Sequence, residues 1–156
     1  MRLVTYRVVC ARDHAFDAAT PPRGSYGEFV MYGEHSPAPA LLSAVEDPVY
    51  REVSALLREI PEVRGKSDIE RCRLLKAVFG VACDPAPDGS RFRIGLPPCP
   101  TCGTRSTKSS VPMTAYAGDV LHITHAAWSS ATKAQKLVRL KSAVEAYLGV
   151  TLQATQ

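Results

Sequence analysis

The run Pro98-Cys99-Pro100-Thr101-Cys102-Gly103 constrains this chain more than any other stretch. Two cysteines separated by two residues on one tight turn can aim both sulfurs at one point. Pro100 stiffens such a turn, and Gly103 can take the positive φ that follows it. A structural zinc ion wants four thiolate or imidazole ligands in a tetrahedron, so the pair reads as half of a Zn2+ site. A redox Cys-x2-Cys usually opens a helix in a thioredoxin-like βαβ pattern. Here a polar run, Thr104 to Ser110, follows, and no helix start is visible. Unliganded thiols are the plain alternative.

The remaining ligands must come from elsewhere. Cys10 and His14, spaced Cys-x3-His at the first predicted turn, are the leading pair, because that spacing lets both side chains reach one ion. Taken singly, Cys10 would be a small buried strand residue and His14 a surface or half-buried histidine. Cys83, Cys72, His122 and His125 are the reserves. Cys83 sits at a helix-to-loop junction and is the better substitute. Cys72 falls on an apolar helical stripe and reads as core. His122 and His125 read as cap or surface residues.

The segment Tyr6 to Phe16, with its strand, Cys10, short turn, His14 and aromatic Phe16, resembles the opening of small bacterial zinc-ribbon proteins. The knuckle Cys99-Pro100-Thr101-Cys102-Gly103 is similar to the second half of such a ribbon. The resemblance implies a zinc clasp made by Cys10, His14, Cys99 and Cys102. It is confined to residues 6–16 and 99–103 and specifies a type of metal site, not an activity. Two departures stand out: 84 residues separate His14 from Cys99, and Asp13 stands where a turn glycine is common. The resemblance therefore implies a ribbon carrying a large helical insertion.

With 156 residues, 46% of them hydrophobic, the chain can bury one core, and a single domain is expected. No apolar run approaches the roughly 20 residues that cross a bilayer. The first residues read as a strand interrupted by Arg7, a poor signal peptide. Five cysteines, an odd number, do not suggest a disulfide framework, so a cytoplasmic protein is expected. Charge is uneven along the chain. Residues 1–90 carry 11 Lys/Arg against 13 Asp/Glu, whereas residues 91–156 carry 8 against 2. A basic C-terminal third could steer an acidic protein surface or a nucleic acid, or it could be a solvated face.

The pattern along the chain predicts an α+β fold, with zinc-ribbon-like hairpins, a helical insertion over 36–83, a knuckle hairpin over 91–111 and a C-terminal helix over 130–149. Strands are predicted over 3–9, 14–16, 26–32, 91–96 and 120–124 from their β-branched, aromatic or alternating residues. Ser36 is read as the cap of a first helical segment, and Asp47-Pro48 as a stronger helix start. Pro61 is read as the stop of that helix, and Ser67-x2-Glu70 has capping-box spacing. Ile69, Cys72, Leu75 and Phe79 form a predicted inward stripe, with Leu74 and Val78 beside it. In the last helix Leu137, Leu140, Val144 and Tyr147 are predicted inward, with Gly149 as the stop.

Catalytic signatures are missing from the sequence. There is no Lys-Ser/Thr phosphate loop, no Gly-x-Ser-x-Gly and no His-Glu-x-x-His. A zinc deaminase would need His-x-Glu ahead of the Pro-Cys-x-x-Cys that Pro98 to Cys102 supplies. A non-enzymatic interaction protein is the leading expectation, of the kind that inhibits a partner. The Arg-rich composition, 13 of 19 basic residues, fits a high-GC bacterium, where immunity proteins that plug a cognate toxin form one such class. The alternative is a nucleic-acid-binding zinc-ribbon regulator, with Arg91, Arg93, Arg105 and Lys108 around the knuckle. An enzyme built from scattered residues such as His35, His122, His125 and Asp119 is a third reading. Trp128 is either a core residue or an interface anchor.

Overall fold

The computed structural model describes residues 3–36 and 38–153. They are mixed α+β, with two three-stranded antiparallel sheets and five α-helices. Contacts divide the chain into two compact units. One holds the chain up to Val45 together with Pro85–Ile123, and the other holds Glu46–Asp84 together with the chain from Thr124 onward. Every described strand belongs to the first unit and every described α-helix to the second.

In the β unit, β1 (Val4–Cys10) is the central strand of one sheet, between β2 (Ala15–Thr20) and β6 (Thr107–Ala115). The β1–β2 register runs from Val4 opposite Thr20 to Val9 opposite Ala15. Strand alternation explains which side chains go inside: Tyr6, Val8 and Cys10 are buried, while Arg7 between them is exposed and pairs with Asp17 directly across. Tyr6, Val8 and Ala18 form a small core with Val4, Phe16 and Leu96 packed on it. The Cys10 amide donates to the His14 carbonyl, so even-numbered β1 residues point their backbone at β2 and odd-numbered ones at β6. Pro112 sits opposite Tyr6, a position with no ladder bond to β1. Its missing N–H falls on the open edge, where a proline blunts strand addition.

The second sheet has the order β4-β3-β5, made of β4 (Pro39–Ser43), β3 (Glu28–Tyr32) and β5 (Arg93–Ile94). Tyr32 ties the sheets together. Its buried hydroxyl accepts from the Ala19 amide and donates to the Ala19 carbonyl, both at 2.8 Å. Burial pushes this phenol up to about 12, although its bond to Ala19 opposes the shift.

In the α unit, Asp47 caps α1 (Pro48–Leu57) by accepting from the Val49 and Tyr50 amides, with Pro48 at the first helical position. α2 (Pro61–Arg64) follows. Ser67 and Glu70 complete a capping box on α3 (Asp68–Val78), which passes into a 3₁₀ turn at Phe79–Ala82. The Asp84 carboxylate accepts from the Ala126 and Ala127 amides at the start of α4 (Ala126–Ser129) and from the Thr124 hydroxyl. These bonds, the one from Ala127 foremost, hold Asp84 below the usual carboxylate range. Thr132 and Gln135 bond reciprocally ahead of α5 (Lys133–Gln153), a second capping box. Val53, Leu56, Leu57, Ile60, Val63, Leu74, Leu75, Val78, Phe79, Ala82, Trp128, Leu140 and Val144 are the buried apolar residues of these helices and turns.

Several expectations are corrected. The segment after Ser36 is strand β4, not helix: Pro39 stands at its start, and Ala40 and Leu42 alternate inward. A residue ahead of a proline is driven toward extended backbone, which removes the helical option here. Pro37 itself lies outside the described residues. Pro61 opens α2, since α1 has already ended at Leu57. Residues 120–124 make a single bridge, Leu121 to Ala40, instead of a strand. Of residues 91–96, the ladder with β3 takes only Arg93 and Ile94. The knuckle hairpin expected over 91–111 reaches only the first part of the long strand β6, whose almost wholly exposed residues, Val111 and Met113 included, carry no burial pattern. Ile69 and Cys72 are exposed, and the buried face of α3 is Leu74, Leu75 and Val78. Helix α5 runs through Gly149 to Gln153, and Tyr147 is 38% exposed.

Candidate metal centre

Strand β1 delivers Cys10 to its C-terminal end, and the turn into β2 brings His14 back beside it. The turn closes by two backbone bonds, Asp13 amide to Cys10 carbonyl and Cys10 amide to His14 carbonyl, both at 3.0 Å. Asp13 adopts φ 65°, the left-handed conformation that glycine ordinarily fills. Asp is among the residues that tolerate it, which explains how this turn dispenses with a glycine. The Arg12 and His14 amides donate to Cys10 Sγ at 3.3 and 3.4 Å.

The second turn repeats this construction. The Cys99 amide donates to the Thr104 carbonyl and the Gly103 amide to the Cys99 carbonyl, each at 2.8 Å, with Gly103 at φ 70°. The chain then enters β6, whose pairing with β1 puts Thr107 opposite Cys10. That register brings the two turns together. The ligand atoms of Cys10, His14, Cys99 and Cys102 all lie within 4.8 Å of one another. Cys10 Sγ is 3.6 Å from His14 Nδ1 and 3.8 Å from Cys102 Sγ. Cys10 and Cys99 are buried; His14 and Cys102 are half-buried. A salt bridge from Lys108 of β6 to Asp13, at 2.7 Å, spans the two halves beside the cluster.

The electrostatics of the cluster suit a cation. Burial alone would raise the Cys99 thiol. Amides of Cys102 and Thr101 and the thiols of Cys102 and Cys10 bond to it and bring it down to about 6. Cys102 moves the other way: the Thr104 amide lowers it, but burial and its two thiol neighbours outweigh that bond. Three thiols crowded together resist joint ionisation until a positive charge sits among them. These four residues could hold a metal ion.

The reserve ligands lie outside this cluster. Cys83 bonds weakly to the Phe79 carbonyl, and burial with the nearby Asp47 and Asp84 charges pushes it up to about 12, an inert thiol. His125 places Nδ1 2.6 Å from the Ala82 carbonyl and Nε2 3.1 Å from Asp47, so both nitrogens are spent on holding α-unit segments together. His122 and Cys72 are exposed. Trp128 is 1% exposed, with its indole N–H on Glu52 at 2.7 Å, which places it in the core.

Three of the four basic residues around the knuckle have partners. Arg93 pairs with Glu34 at 2.7 Å and Lys108 with Asp13. Arg105 donates to the Leu96 carbonyl; burial, with Arg93 close by, lowers it. Arg91 is exposed. In the α unit, Lys133, Lys136 and Lys141 reach Glu59, Glu52 and Glu62. Five of the eight basic residues of the C-terminal third thus reach acidic residues of the N-terminal part, a match that sequence position conceals. Beside the cluster lies a cleft of about 520 Å³ that no sequence signal marked, because its walls come from β2, the segment after β3, and the knuckle. No helix among the described residues is long and apolar enough to cross a membrane. No family model matches the chain, and no curated protein or solved structure gives a significant match to it.

Proposed function

We propose that this chain is a zinc-clasped, non-catalytic protein-interaction module, of the inhibitor or immunity type that binds a cognate toxin or effector in a bacterial cytoplasm. The observation that carries this reading is the closed set of four ligand atoms. A tetrahedral zinc with Zn–S near 2.3 Å and Zn–N near 2.0 Å would space sulfurs about 3.8 Å apart and sulfur and nitrogen about 3.5 Å apart. Cys10 Sγ lies 3.8 Å from Cys102 Sγ and 3.6 Å from His14 Nδ1, and all six separations in the set are within 4.8 Å. A disulfide would need about 2.05 Å. Four protein ligands leave no open position for a substrate or an activated water, which is the arrangement of structural zinc. The path of the chain supports the zinc-ribbon resemblance: one knuckle on the β1–β2 turn, and a second leading into β6, the other neighbour of β1.

The test is zinc per chain by elemental analysis, on the native chain and on Cys10→Ser and Cys102→Ser, with thermal unfolding alongside. One zinc in the native chain, lost in both variants together with a large fall in Tm, is the expected result. A carefully prepared native chain without zinc would overturn the reading. A nucleic-acid regulator would instead bind mixed DNA or RNA with affinity falling steeply as salt rises.

A further inference from the structure

The cleft beside the cluster is built from chemistry of one kind. Its apolar wall is Phe16 with Pro97, Pro98 and Pro100, and its polar rim holds Asp17, Glu34 and His35. No lysine or arginine lines it, although the β unit carries eight basic residues against six acidic ones. Cys99, one of the four clustered ligands, also lines it. Three thiolates and an imidazole around a dication leave a net negative charge, so a loaded clasp adds to the charge of Asp17 and Glu34. The volume falls in the range, about 300–1,000 Å³, of clefts that hold a compact ligand or a short segment.

We infer that this cleft receives an arginine side chain presented by the protein partner. The aliphatic stem and flat guanidinium face would lie on Phe16 and the prolines, and the N–H groups would meet the Glu34 carboxylate, since Asp17 points to the Arg7 face of the sheet. Glu34 already carries a surface partner, Arg93, through Oε1. That pair is about half exposed, and exposed pairs are weak enough to be shared with an incoming cation. Zinc would hold one wall of the cleft, because residues 97–103 lead into and form the second knuckle. The inference rests on the zinc-clasped interaction reading and names the chemistry of the partner's anchor.

The experiment uses the full zinc-loaded chain and amide-resolved NMR, with acetyl-Gly-Arg-Gly-amide as the probe. Its control is the neutral isostere in which citrulline replaces arginine. Saturable shifts at Phe16, Asp17, Glu34, His35, Ser36 and Gly103 with the arginine peptide alone are expected. Glu34→Gln should weaken that binding roughly fivefold, as loss of one exposed charge contact predicts. Equal shifts from the citrulline peptide, or none from either, would overturn the inference. Zinc content is measured on the same sample, so an empty clasp counts against the zinc reading, whereas a loaded clasp without arginine-specific shifts counts against the cleft alone.

Discussion

At the scale of single residues, Tyr32 does the most to join the two sheets of the β unit. Its hydroxyl satisfies both backbone groups of Ala19 in a buried setting. Tyr32→Phe would leave that N–H and C=O unmet, at a cost of about 1–3 kcal/mol in chemical denaturation. The pH dependence has a definite sign. The folded phenol titrates near 12 against an ordinary 10.0, so between those values the unfolded chain has lost a proton that the native chain keeps. Stability from Tyr32 is complete below pH 10 and declines as pH rises toward 12. Comparing native chain and Tyr32→Phe across that window should show a gap that narrows with rising pH. A constant gap would mean that the phenol titrates normally. Asp13 is the other instructive residue: its left-handed backbone could be suspected from its place in the resemblance, where glycine is common, but the spacing of ligands alone did not reveal it.

At the scale of elements, start signals were read more reliably than stop signals. Asp47-Pro48 and Ser67-x2-Glu70 cap helices as their chemistry requires. Thr132-x2-Gln135 follows the same rule and marks the true start of α5. Thr132→Ala should cost about 1 kcal/mol in thermal or chemical unfolding, and restoration by Ser would show that the hydroxyl is responsible. Gly149 is helical, and a Cβ built there meets nothing within 4 Å. Gly149→Ala is therefore expected to stabilise the chain by about 0.5–1 kcal/mol. A loss of stability would mean that the helix ends at Gly149 after all. Strand β6 illustrates the opposite limit. Its polar residues and Pro112 argue against a strand locally, yet β1 has one unpaired side, and backbone pairing there does not depend on side-chain burial.

At the scale of the whole molecule, the chain alternates between a β unit and an α unit, each assembled from two separate stretches. The clustered cysteines and histidine all belong to the β unit. Chelation should therefore act unevenly. After metal removal, hydrogen exchange is expected to accelerate first at the amides of Arg12, His14 and Gly103, while α3 and α5 amides keep their protection at first. Simultaneous loss across both sets would show that the clasp controls the entire fold. The charge pattern also changes meaning at this scale. The basic C-terminal third could be read as a solvated face, but Lys133, Lys136 and Lys141 each reach a glutamate from residues 46–84.

The candidate ligand residues, the two tight turns, the α+β class and most helix starts are written locally in the sequence, because each depends on atoms only two to four residues apart. The meeting of Cys10 and His14 with Cys99 and Cys102 was expected from the chemistry of four-ligand sites, but what achieves it is the pairing of β6 with β1. The partners of the basic residues, the switch of 39–43 from helix to strand, and the cleft beside the cluster were decided only by the tertiary structure. Each of these depends on which distant segments come to lie side by side, and hydrogen-bond register and ion pairing across long separations leave no periodic trace in the chain.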